Sequence, residues 1–126
     1  MPLVSAVNRL ECKGLTYDVN VLLDTNCDIY PVKRGDRLTF VLASTLDLNG
    51  KPDDGTYKQQ GDEITLADKY EYVMHGRVFK CEHRKDERVE LFVSFGGLLL
   101  RLTGDQRHVA NIEVDSRVYC LLRQNA

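Results

Sequence analysis

A chain of 126 residues has the size of one compact domain around a single core. Its 17 Lys+Arg against 19 Asp+Glu leave a net charge of -2, which provides no overall field to gather a polyanion or an anionic membrane. With 43% hydrophobic and 29% charged residues it is too apolar to stay disordered, and no apolar run approaches the ~20 residues of a transmembrane helix.

Thirteen Val and six Tyr against five Ala favour half-buried pleated surfaces over long helices. Val7 to Lys13 reads as a first strand, followed by a tight connection at Gly14-Leu15-Thr16. In the second strand Tyr17, Val19, Val21 and Leu23 alternate with Asp18, Asn20, Leu22 and Asp24, the period of a half-buried strand. Ile29-Tyr30-Pro31-Val32 is extended, because proline pushes the residue before it out of the α region, and Lys33-Arg34-Gly35-Asp36 reads as a turn. From Arg37 to Ser44, Leu38, Phe40 and Leu42 line one face while Val41 and Ala43 line the other, which predicts a central strand covered on both sides. Thr45 to Lys69, with Gly50, Pro52, Gly55 and Gly61, predicts a long Ω-type loop with a mobile middle. Asp53 and Asp54 sit there on a glycine-flanked turn, where nothing holds them as a metal site or acid–base pair.

Tyr70, Tyr72 and Met74 alternate up to Gly76, and Arg77, Phe79 and Cys81 resume the alternation after it, so a bulge is expected at Gly76. Arg88 to Phe95 and Leu98 to Thr103 flank Gly96-Gly97, the dipeptide of a two-residue hairpin with positive φ angles. The polar stretch after Gly104-Asp105 has room for one helical turn. Ile112 to Asp115 follows, and a last strand over Arg117 to Arg123 alternates Val118, Cys120 and Leu122. Seven or eight short strands without a long helix predict an all-β barrel or sandwich.

Chemistry-bearing patterns are sparse. Cys12, Cys27, Cys81 and Cys120 lack the spacing of a zinc site and read as small buried hydrophobes. His75, His83 and His108 have no metal-ligand partner spacing and read as surface residues. Leu98 to Leu102 continues from Gly96-Gly97 as a strand, whereas a phosphate-cradling loop leads into a helix. Phe92 occupies the position where a nucleophile elbow needs glycine, so Ser94 reads as a strand residue. Met1 to Leu10 lacks the pattern of a secretion signal, which places the chain on the reducing side of the membrane. No cofactor or metal is expected, and a binding or structural module is favoured over an enzyme. Tyr70, Tyr72, Phe79, Phe92 and Phe95 offer rings for stacking bases, as in small OB-type barrels. The nearby Arg77, Lys80, Arg84, Lys85 and Arg88 are, however, interspersed with Glu82, Asp86, Glu87 and Glu90, and core packing is the stronger reading.

In their order and spacing these segments resemble the small OB-fold subunit shared by the three eukaryotic nuclear RNA polymerases, the eighth in the usual count. The resemblance rests on Leu22-Leu23-Asp24 through Ile29-Tyr30-Pro31-Val32, on Gly35-Asp36, on Leu42-Ala43-Ser44-Thr45-Leu46 and on Asp53-Asp54-Gly55-x-Tyr57. It continues through Ala67 to Met74 with Gly76-Arg77-Val78, through Val93 to Leu102, and through Glu113 to Tyr119. What it implies is an antiparallel OB-like barrel spanning 1–126 with a long loop at 45–69. It further implies a non-catalytic subunit of polymerases I, II and III that docks on the largest polymerase subunit near the region lining the pore, in nucleus and nucleolus. The family carries an opening strand before the segment matching Val7 to Cys12. Met1 to Ala6 is too short to supply it: either the strand is lost or the sequence starts after it, and a barrel without that strand is expected to leave a neighbouring edge unpaired.

If Leu98, Leu100 and Leu102 face the core, Leu99 and Arg101 face outward. Together with Phe95, Gly96, Gly97 and Leu98 they are the expected contact with the largest subunit; packing of Leu99 under the long loop or against a second sheet is the competing account. The alternative function is a free-standing OB-type protein that binds single-stranded nucleic acid weakly and without sequence specificity, for which Arg9 and Lys13 are the candidate contacts.

Overall fold

The computed structural model describes residues 7–15, 18–47, 65–106 and 112–125. Its strands are β1 (Val7–Lys13), β2 (Val19–Asn26), β3 (Leu38–Ala43), β4 (Tyr72–His83), β5 (Arg88–Phe95), β6 (Leu98–Asp105) and β7 (Arg117–Gln124). They hydrogen-bond in the order β1-β2-β6-β5-β4-β7-β3, all-β as the alternation predicts and OB-like as the family resemblance implies. The chain groups into two compact units, one within Met1–Lys33 and Arg77–Ser116, the other within Arg34–Gly76 and Arg117–Ala126.

In the first unit the strands pair antiparallel, from β1 on β2 through β6 and β5 to the second half of β4. Gly14 N–H donates to the Val19 carbonyl at 2.7 Å, which ties the residue after β1 to the start of β2. The β5–β6 hairpin turns on Gly96 and Gly97 at φ +63° and +105°, as the dipeptide predicts, because only glycine enters that region without strain. β6 runs two residues beyond the expected Thr103, to Asp105. The inward positions of β2, β5 and β6 carry Val21, Leu23, Val89, Leu91, Val93, Phe95, Leu100 and Leu102, all buried. β1 ends the order, and among the described residues no strand pairs with its other edge.

β4 departs from the expected alternation. In the pairing with β5 the register slips past Gly76, between Val78 and Lys80, so that Phe79 is the extra residue opposite β5. Val78 stays inward and fully buried, whereas Phe79 is exposed. The backbone of Val78 is held on its other side, its N–H donating to the Ser116 carbonyl at 2.9 Å while its carbonyl accepts from Asp115 N–H at 2.7 Å.

In the second unit β7 lies between β4 and β3. The sequence predicts β3 as the central strand, and this is corrected: among the described residues β3 ends the order, paired with β7 alone, and all six of its residues are half-buried. The strand covered on both faces is β7, where Leu121 and Leu122 are consecutive and both buried. Apolar residues on both faces signal cover on both faces, but cover comes from packing as well as from flanking strands. The long segment after β3 has its ends tied, since Leu66 N–H donates to the Leu46 carbonyl at 2.7 Å. A short 3-10 turn, Leu66–Lys69, follows, its start capped by the Asp68 carboxylate accepting from Thr65 N–H at 2.7 Å. The loop's middle with Asp53 and Asp54, the polar stretch around His108, and Thr16 and Tyr17 lie outside the described residues. Of the four free cysteines only Cys120 is buried; Cys12, Cys27 and Cys81 are half-buried, which corrects the expectation for three of them. Burial pushes the Cys12 thiol pKa up, so it is a weak nucleophile.

Candidate partner-binding face

The outward face of the first unit is assembled by register. Glu11 stands opposite Leu22, Leu22 opposite Arg101, Arg101 opposite Phe92, and Phe92 opposite Lys80. One row toward the hairpin turn, Arg9 is opposite Asp24, Leu99 opposite Ser94 and Ser94 opposite Arg77. One row the other way run Lys13, Asn20, Thr103, Glu90 and Glu82. Side chains directly across a sheet are close enough to interact, so these three rows set what the face can bind.

Near the turn the face is apolar. Leu99 is 42% and Phe79 48% exposed, and the Phe79 and Phe92 rings meet at 6.1 Å and 45°, within the tilted range favoured by aromatic pairs. The Lys80 ammonium lies 5.3 Å from the Phe92 ring centre and pairs with Glu82 at 2.9 Å. At the other end an open concavity of about 520 Å³ is lined by polar groups. Its lining sets Arg84, Arg88 and Arg101 against Glu11, Asp18 and Glu90, with Arg88 paired to Asp18 at 2.8 Å and Arg84 to Glu90 at 3.5 Å. That leaves little net field for a polyanion.

Asp24 ties the apolar end together. Its side chain points to this outward face yet is buried, and it receives Arg9 Nε at 2.7 Å and Nη2 at 3.2 Å, a bidentate pair. The Leu99 N–H donates to its second oxygen at 3.0 Å. One carboxylate therefore joins β1, β2 and the start of β6 just behind the hairpin turn. The Arg9 hydrogen bond holds the Asp24 carboxyl below its ordinary pKa, burial opposes this, and the Leu99 amide assists.

Of the residues expected at a partner contact, Leu99 and Arg101 are exposed on this face, as are Gly96 and Gly97 at the turn. Leu98 is half-buried, and Phe95, opposite it, is buried; the part of Phe95 is to seat the turn. Arg9 is committed to Asp24, and Glu11 lies between Arg9 and Lys13 on the same face. Among the rings offered for stacking, Tyr72 and Phe95 are buried, and Tyr70 is half-buried under Arg123, whose guanidinium lies 5.3 Å from its centre. Asp24 and the Phe79–Phe92 pair are the participants that reading the residues did not assign to this face. Parity along β2 puts Asp24 beside Leu22, but its burial depends on where Arg9 arrives. Among the described residues no cluster of His, Cys, Asp and Glu is placed to hold a metal ion.

The RNA polymerase Rpb8 family profile matches residues 4–124. This chain belongs to the Rpb8 family. Among its relatives, DNA-directed RNA polymerases II, IV and V subunit 8B of Arabidopsis thaliana is 44% identical over 120 residues, which cover 94% of this chain and 82% of that protein. The DNA-directed RNA polymerases I, II, and III subunit rpabc3 of Dictyostelium discoideum is 40% identical over 120 residues, with the same coverage of both chains. The corresponding subunit RPABC3 of Saccharomyces cerevisiae is 36% identical over 126 residues, covering 94% of this chain and 85% of its own. As an Rpb8 protein, this chain presents the hairpin, the Asp24–Arg9 pair and the apolar end of the outward face on one surface.

Proposed function

We propose that this Rpb8 protein is a non-catalytic common subunit of DNA-directed RNA polymerases I, II and III. It docks on the largest subunit through the β5–β6 hairpin and supports assembly and stability of the enzyme during transcription. Its place is the nucleus and, through polymerase I, the nucleolus. The observation that carries the docking surface is Leu99, an apolar side chain left 42% exposed beside the exposed Arg101 on a rigid two-residue hairpin. Arginine and aromatic side chains are the usual anchors of protein interfaces, and an exposed apolar side chain beside them marks surface suited to a partner. Each relative is named as a polymerase subunit, which supports the assembly. The matched charges of the polar concavity favour a protein partner over a nucleic acid strand.

The test is purification of the tagged chain from its own cells, with mass spectrometry of what accompanies it. The largest polymerase subunit is expected in near-equal amount. The double replacement Leu99→Ala with Arg101→Ala is expected to lower that amount while the chain stays folded. Unchanged association by a folded double variant removes the hairpin from the interface, and absence of polymerase subunits from the wild-type preparation overturns the function. Micromolar oligonucleotide binding with a steep salt dependence supports the single-strand reading instead.

A further inference from the structure

We infer that the docking face extends past the hairpin onto the bulge of β4. There Phe79, Phe92 and Leu99 form a pad for an apolar side chain, and Arg77 and Arg101 at its rim pair with carboxylates flanking that side chain. The partner is therefore an acidic–apolar segment of a polymerase subunit. The inference rests on the docking reading above and names the chemistry of its partner.

Phe79 follows inward Val78 at the ordinary outward position and remains 48% exposed, its ring 6.1 Å from that of Phe92. The slip between Val78 and Lys80 sets Lys80 opposite Phe92 as well, so two consecutive side chains of β4 share the outward face. Beside Phe79 a depression of about 150 Å³ is floored by Leu22, Phe92, Leu99 and Leu100 and bounded by Arg9 and Arg101. Small-molecule pockets run to ~300–1,000 Å³, so this one suits a single side chain of a protein partner. Bulges occur next to sites where a side chain must be re-aimed.

The rim decides the partner's charge. Arg9 is matched by Asp24 and Lys80 by Glu82, whereas among the described residues no carboxylate pairs with Arg77 or Arg101, both exposed. Arg77 and Arg101 flank the exposed Phe79 ring and the half-buried Phe92 ring, and although Arg101 also borders the polar concavity with Glu11 and Glu90, the two guanidiniums give the pad a positive edge that complements carboxylates. A second copy of the chain fits poorly, because a two-fold contact sets the same cationic rim against itself. A nucleic acid strand fits poorly as well, because the face is of mixed sign, with Glu11 in the row of Arg101 and Glu90 and Glu82 in the next, and offers phosphates little net attraction.

The experiment places the photo-crosslinking residue p-benzoylphenylalanine at Phe79 of the tagged full-length chain in its own cells. The purified polymerase is irradiated and the linked peptide sequenced. The crosslink is expected within a polymerase subunit, on a segment with a neighbouring Asp or Glu. Arg77→Glu combined with Arg101→Glu is expected to lower its yield about tenfold or more without changing the thermal melt, while Arg101→Lys retains most of it. A crosslink to a second copy, to nucleic acid or to a segment without carboxylates overturns the inference, as does the absence of a crosslink or an unchanged yield in the charge-reversal variant. If the wild-type chain brings no polymerase, the docking reading itself fails. If it brings polymerase and any of these adverse results follows, only the partner chemistry assigned here fails.

Discussion

β5 and the second half of β4 are hydrogen-bonded neighbours, and each alternates apolar residues with polar ones, yet they divide their rings differently. In β5 every second residue from Val89 to Phe95 is buried without interruption, and its pairing with β6 keeps one register from Arg88 to Phe95. In β4 the alternation runs through inward Val78 and outward Phe79 and breaks at Lys80, which is exposed as well and stands opposite Phe92. β5 sends one ring, Phe92, to the outward face and keeps it half-buried, whereas β4 leaves Phe79 nearly half exposed beside the slip. The contrast separates residues that hold this Rpb8 protein together from residues left over to hold something else.

The sharpest way to break the comparison is to empty one position on each strand. Leu91 is fully buried, and Leu91→Ala removes its packing and leaves a cavity, so a loss of about 3 kcal/mol is expected in urea unfolding. A loss below about 1 kcal/mol would mean that β5 is not the rigid member of the pair.

Next in size is Asp24, which ties the hairpin to β1 and β2. Asp24→Ala leaves the Leu99 amide and the Arg9 guanidinium without their acceptor and is expected to lower stability by about 1–2 kcal/mol. Because the folded-state pKa of Asp24 lies below its unfolded value, its stabilisation is complete above the unfolded carboxylate pKa, about 3.9. It is lost as pH falls through the folded value. A pH series of unfolding midpoints is expected to show a shallower acid-side decline in Asp24→Asn than in wild type; parallel declines would remove Asp24 from the acid response.

A smaller effect belongs to the turn. No atom lies within 4 Å of a Cβ built on Gly97, but its φ of +105° is one that side chains rarely adopt. Gly97→Ala is therefore expected to lose about 1 kcal/mol through backbone strain alone, visible as a lowered melting temperature without a change in the unfolding slope. The smallest stability effect is expected at Phe79. With nearly half its surface already exposed, Phe79→Ser is expected to change the isolated chain by less than about 1 kcal/mol while weakening polymerase association. A large stability loss would place the ring among the residues that hold the fold.

How far these roles are legible without coordinates differs by residue. The hairpin is readable, because a two-residue turn with two positive φ angles admits few dipeptides and Gly96-Gly97 is one of them. That Leu99 and Arg101 point outward follows from strand parity once Leu100 and Leu102 are assigned to the core. The bulge is not readable in the same way. Gly76 marks a break in the pattern, but the slip falls three residues later, at a phenylalanine with no local signature of its own. Asp24 is an ordinary polar residue on its strand until Arg9, fifteen positions earlier, arrives across the β1–β2 pairing and the Leu99 amide arrives from β6. Likewise β3 and β7 both carry apolar residues on two faces, and pattern alone does not say which lies between neighbours.

What the sequence by itself determined is therefore the class of the fold, the hairpin and its outward pair, and the family, because alternation, turn chemistry and motif spacing are local and written in order along the chain. What the tertiary structure alone decided is which strand is central, where β4 slips, and which arginines are already matched. Those depend on register and on meetings between distant residues. An exposed phenylalanine or an unpaired guanidinium is defined by what does not reach it, and no local pattern records that.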